Sequence, residues 1–164
     1  MADHNEIVFE SEICEHLRTH GWLYAATDVD YDRERALFPK DLTAFLRETQ
    51  GAAYEKALKA AGSEAKFLDV LATALDKPLE HGGGTLNILR NGVQYIGGGR
   101  LKMAQFRPET SLNATTNEHY AAMRVRVMRQ VHFSTADQRS IDLVFFINGL
   151  PVATVELKTD FTQS

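Results

Sequence analysis

Cys14 is the only cysteine in 164 residues, so no disulfide can form within the chain, and a reducing cytoplasm is the expected compartment. No positively charged leader followed by an apolar stretch precedes the first helical segment, and the longest apolar run, 143–147, is far too short to span a bilayer. Insertion into a membrane is not expected. Positive charge is scarce as well: 18 Lys and Arg stand against 22 Asp and Glu, a net −4, which excludes coating of nucleic acid by bulk charge. Any DNA contact must come from a local cluster of cations or from a partner chain. There is no internal repeat and no low-complexity tract. The glycine triplets Gly82 to Gly84 and Gly97 to Gly99 lack the lysine of a G-x-x-x-x-G-K-[ST] loop, so they read as loops and no ATP site is expected.

What is present is ordinary for a packed domain: 44% hydrophobic and 24% charged residues, in a length that suits one domain with a small helical elaboration. Helical spacing of Ile7, Ile13, Cys14 and Leu17 predicts a helix over 6–20, stopped by Gly21. Segment 24–39 lacks periodicity and reads as a long connection. Strong helix formers over about 40–77, with breaks near Gly51 and Gly62, predict a helical insertion of two or three helices. Asn91-Gly92 between 86–90 and 93–96 is a strong hairpin signal, and a short helix is expected over 113–120. Strands are predicted over 123–133, 141–147 and 152–158. The class is therefore α/β, a mixed sheet with flanking helices and a helical insertion after the first helix.

Chemistry concentrates in the last two strands. Asp142 is followed after thirteen residues by Glu156-Leu157-Lys158. Glu-x-Lys also occurs at Glu64-Ala65-Lys66, but that copy lies in a helical stretch, where residues two apart diverge. On a strand they share a face, so only Glu156 and Lys158 can converge on one ligand. Asp142 interrupts the apolar run 141–147, and a buried carboxylate must be paired or bound to a metal. With a strict two-residue turn at Asn148-Gly149, Asp142 would face Val155 rather than Glu156. Convergence therefore requires one extra residue, in a three-residue loop 148–150 or in a nearby bulge.

Glu10 falls on the apolar stripe of the first helix and is a candidate third acid, whereas Glu12 and Glu15 fall on the polar side. Two carboxylates about 4 Å apart repel by roughly 4 kcal/mol at an effective dielectric of about 20. Mg²⁺ would offset that repulsion while keeping waters, one of which can attack a phosphodiester. Lys158 would orient that water and balance charge in the transition state. Arg124 and Arg126 share a strand face and are candidates for phosphate contacts, beside ordinary solvation. His16 and His20 lie one helical turn apart with no third ligand nearby, and read as solvated. Without a metal, the central trio reduces to a structural ion pair.

Ile141-Asp142 with Glu156-Leu157-Lys158 resembles the PD-(D/E)xK nuclease motif, with Ile141 in place of its proline. Further stretches, among them Gly21-Trp22, Tyr31 through Pro39, Met103 through Pro108, Arg129 through Ser134 and Ser140 through Val144, resemble the N-terminal region of the restriction subunit of type I restriction-modification enzymes. The resemblance covers nearly the whole of 1–164 and implies a restriction-endonuclease-like fold in a prokaryotic cytoplasm. It implies a Mg²⁺-dependent endonuclease acting on double-stranded DNA, with catalytic Asp142, Glu156 and Lys158 and metal ligands Asp142, Glu156 and the candidate Glu10. It implies methyltransferase and specificity subunits as partners, and ATP-driven translocation by motor domains that this chain lacks. A further helix and strand bearing a glutamine and tyrosine motif are expected beyond the chain, Gln163 coming too early to replace them. The uncovered sheet edge left by their absence favours self-association, so a homodimer of the fragment is a further expectation. The rival reading is a catalytically silent DNA-docking or subunit-assembly module with the same fold.

Overall fold

The computed structural model describes residues 2–132 and 139–158, with side chains from Glu6 onward. In chain order the elements are α1 (Ala2–Thr19), β1 (Leu23–Ala25), α2 (Pro39–Ala61), α3 (Glu64–Asp76), a 3₁₀ turn (Leu79–His81) and α4 (Thr85–Asn91). They continue with β2 (Val93–Tyr95), β3 (Gly99–Leu101), α5 (Ala114–Ala121), β4 (Val125–His132), β5 (Ser140–Ile147) and β6 (Leu150–Val155). A mixed sheet runs in the order β1-β4-β5-β6: β1 lies parallel to β4, and the other neighbours are antiparallel. Phe133, Ser134, the 159–161 part of the motif region and Gln163 lie outside the described residues.

Each face of the sheet has its own apolar layer. On one, Cys14, Ile13 and Leu17 of α1 meet Val127, Leu143, Phe145 and Val155. On the other, Phe38 packs with Met128, Val144 and Phe146, its ring 4.9 Å from that of Phe146 in an edge-to-face pair. The helical insertion builds a third core in which Leu42, Phe45, Tyr54, Phe67 and Leu71 close on Tyr95, Leu101 and Met103. Arg35 ties this region to the preceding loop, pairing with Asp32 and with Asp69 of α3 at 2.7 Å each.

Four expectations are corrected. Segment 24–39 is not wholly a connection, because Leu23–Ala25 forms the parallel edge strand β1. Residues 86–90 are helix, and Asn91-Gly92 is its stop: Gly92 at φ +69 returns its N–H to the Ile88 carbonyl. The hairpin lies one step on, β2 to β3 around 96–98. The strand expected over 152–158 is β6 at Leu150–Val155, so Glu156 and Lys158 lie past its end. The break expected near Gly51 is present as a kink in α2 at Gln50, at φ −142 and ψ 33, whose amide brackets the Lys102 backbone at 2.8 and 2.9 Å. Ile7 is 51% exposed, so the buried stripe of α1 begins at Glu10.

The β5–β6 turn uses Asn148 at φ +47 and Gly149 at φ +79, the positive pair that a tight hairpin needs. A Cβ on Gly149 would meet the Phe38 carbonyl oxygen at 2.2 Å. Gly149→Ala should therefore lower stability by about 2 kcal/mol, from left-handed strain and overpacking together, as urea denaturation would register. An unchanged midpoint would mean that the turn is not so confined.

Candidate active site

The hairpin that carries the acids is irregular in the way the residue count requires. Ile147 pairs with Leu150 and Phe146 with Pro151, but Phe145 pairs with Ala153, leaving Val152 as an extra residue. The additional residue is thus a bulge and not a longer turn. Its place has a physical reason: β6 is an edge strand, and Pro151, lacking an N–H, is tolerated at an edge beside a bulge. Beyond it Val144 pairs with Thr154 and Leu143 with Val155, where the pairing ends; the same count carried one step on would bring Asp142 opposite Glu156. β6 ends at Val155, and the chain crosses Asp142 there, with the Leu157 N–H donating to Asp142 Oδ2 at 2.6 Å.

A second irregularity turns the site toward α1. Val127 and Leu143 belong to the α1-side core, and Met128 and Val144 to the opposite one, as strand alternation demands. Continued alternation would return Val131 and Ile141 to the α1 side, yet both pack with Met128 and Val144. The phase slips at the intervening pair, Gln130 and Asp142, where Gln130 takes φ +48. Gln130 Nε2 thereby reaches both Glu10 Oε2, at 2.8 Å, and Asp142 Oδ1, at 3.4 Å. Ser140 Oγ donates to Gln130 Oε1 at 2.7 Å and fixes the amide from the other end.

Glu10 is 2% exposed, and its charge is compensated within the protein. Arg129 Nε stands 2.6 Å from Glu10 Oε1. No aligned hydrogen bond reaches that oxygen, so the contact is chiefly Coulombic. Burial works against the Arg129 charge, but the Tyr24 hydroxyl and the Glu10 carboxylate outweigh it and push its pKa up. Burial first, and Glu10 second, also raise the Cys14 thiol, which stays protonated.

The remaining candidates are scattered. Glu156 and Lys158 are exposed beyond the end of β6. Arg124 pairs with Glu48 at 2.6 Å. Arg126 makes a two-point contact with buried Asp41, at 2.6 and 2.9 Å, under the ring of Phe38. Both guanidiniums are thus committed to α2, and a phosphate would have to compete with those acids. Glu64-Ala65-Lys66 opens α3, where Ser63 caps the Lys66 N–H. His16 and His20 are exposed, with ring centroids 4.2 Å apart.

Among the described residues no three His, Cys, Asp or Glu side chains are grouped to hold a metal. The donor chemistry of Asp142 and Glu156 nonetheless suits Mg²⁺, which takes one or two carboxylates and fills its other positions with water and phosphate oxygens.

Gln130, Arg129 and Ser140 stand in the stretches that carry the family resemblance, but sequence reasoning assigned none of them a role in the site. One of them left a signal: Arg129 has the parity of Val125 and Val127, an arginine on an inward face, and so calls for a buried acid. Gln130 left none, since nothing local marks a phase slip.

A family model described as the type I restriction enzyme R protein N terminus matches residues 3–164. No curated protein and no solved structure matches the chain. Among the described residues no helix is long and apolar enough to cross a membrane.

Proposed function

Because the chain belongs to the family of type I restriction enzyme R protein N termini, we propose that it is the nuclease domain of such an enzyme and hydrolyses phosphodiester bonds of duplex DNA with Mg²⁺. The observation that carries this reading is the bulge at Val152, which supplies the one extra residue that a shared site of Asp142 and Glu156 requires. Asp142 and Glu156 would hold the cation. When bound, Mg²⁺ supplies positive charge to the scissile phosphate and lowers the pKa of water. Asp142 contributes an oriented oxygen, kept in place by the Leu157 N–H and the Gln130 amide. Lys158 would hold the attacking water by its ammonium and offset charge on the phosphorus oxygens. Cleavage is coupled to ATP-driven translocation by motor domains, and the methyltransferase and specificity subunits bring the domain to its DNA.

Metal titration tests this directly. The chain should bind Mn²⁺ with an affinity that falls at least tenfold in Glu156→Gln, read by calorimetry. Binding that does not depend on Glu156 or Asp142 would favour the silent docking or assembly module instead.

A further inference from the structure

Gln130 occupies a left-handed conformation, φ +48, inside a strand that is regular on either side: Arg129 pairs with Leu143 and Val131 with Ile141. No residue is inserted there, so the strain does not serve the residue count. For a residue with a Cβ this conformation is uphill, and it persists only where the surroundings over-determine it. The surroundings here are three hydrogen bonds to one amide. Glu10 and Asp142, when ionised, can only accept, so the amide nitrogen must face both, and its oxygen is left for the Ser140 hydroxyl.

The chemistry of that choice is specific. A lysine or arginine between the two acids would neutralise Asp142 and compete with any cation for it. An amide donates without charge, so it orients Asp142 without placing a competing cation beside it. The bond lengths agree: 2.8 Å to Glu10, which Arg129 anchors, and a looser 3.4 Å to Asp142. We infer that Gln130 is a positioning residue of the nuclease site, which turns Asp142 toward α1 and holds it for the metal through the anchored Glu10. The inference rests on the nuclease reading above.

The test is Mn²⁺ affinity of the whole chain, measured by calorimetry beside thermal unfolding. Gln130→Met keeps the length and loses the donors; it should weaken Mn²⁺ binding about tenfold while unfolding stays cooperative. A folded Gln130→Met protein that binds Mn²⁺ within about twofold of the native chain overturns the assignment. Ser140→Ala removes only the hydroxyl that fixes the amide, and keeps the proposal testable should the methionine variant not fold. It should weaken Mn²⁺ about fivefold, the worth of one neutral hydrogen bond. Unchanged Mn²⁺ binding in Ser140→Ala would count against the assignment. In a Gln130→Met background the Ser140→Ala loss should vanish, because the two act as one unit. Asp142→Asn separates the two ideas. If it leaves Mn²⁺ binding unchanged, the nuclease reading fails and takes this one with it; if it weakens binding and Gln130→Met does not, only the positioning role fails.

Discussion

Asp142→Ala is expected to reduce DNA cleavage by the assembled enzyme about 10³-fold or more, the usual scale for removing a group that stabilises charge at the reacting centre. ATP hydrolysis should be unchanged, since no nucleotide loop lies in this chain. Some stability is expected to go with it. The Leu157 N–H and one Gln130 N–H lose their acceptor, and an unsatisfied buried donor costs roughly 1–3 kcal/mol. Glu156 and Lys158 are exposed, so water can reach this end of the sheet and the lower part of that range applies. A cleavage assay beside an unfolding curve checks both. Loss of the fold itself would point to Asp142 as a structural member of a turn and would sink the catalytic assignment.

Arg129→Met is expected to have the largest effect on stability, about 3 kcal/mol. Glu10 is 2% exposed and Arg129 25% by side chain, so the methionine would leave a carboxylate buried with the Gln130 amide as its remaining hydrogen-bond partner among the described residues. Removing one member of a buried pair is more costly than removing both. Glu10→Gln in the same chain should therefore restore much of the loss, although each single change is destabilising. Equilibrium urea unfolding of the two single variants and the double variant gives the coupling. Additive losses would show that the 2.6 Å contact contributes little. The cycle also bears on Glu10 as a metal ligand: an acid strongly coupled to Arg129 is already compensated, which favours its action through Gln130.

Much of the fold was legible because the local rules that mark strands and helices are strong here. The run 141–147 lies within β5, the helix formers after residue 39 became α2 and α3, and the stripe through Ile13, Cys14 and Leu17 faces the sheet with Glu10 in line. The two Asn-Gly pairs show where such rules stop. Both supply a glycine at positive φ, but Asn91-Gly92 ends a helix and Asn148-Gly149 closes a hairpin. The dipeptide specifies a backbone conformation, and what it serves depends on the neighbours packed against it: a Cβ on Gly92 would strike the Leu101 carbonyl oxygen at 2.2 Å.

The sequence by itself determined that Asp142 lies in a strand and that one extra residue is needed in the hairpin for it to come opposite Glu156, because strand alternation and the spacing of 142 and 156 are arithmetic; that the second strand stops at Val155, short of Glu156 and Lys158, it did not show. Only the tertiary structure decided that the extra residue is a bulge at Val152 on an edge strand. It alone paired Arg124 and Arg126 with Glu48 and Asp41, acids 76 and 85 residues away. The turn of Gln130 between Glu10 and Asp142 was likewise set by the tertiary fold. The reason is common to all three: periodicity and turn chemistry act over a few residues, whereas the partner that satisfies a buried charge or amide is chosen by packing, and no local pattern records it.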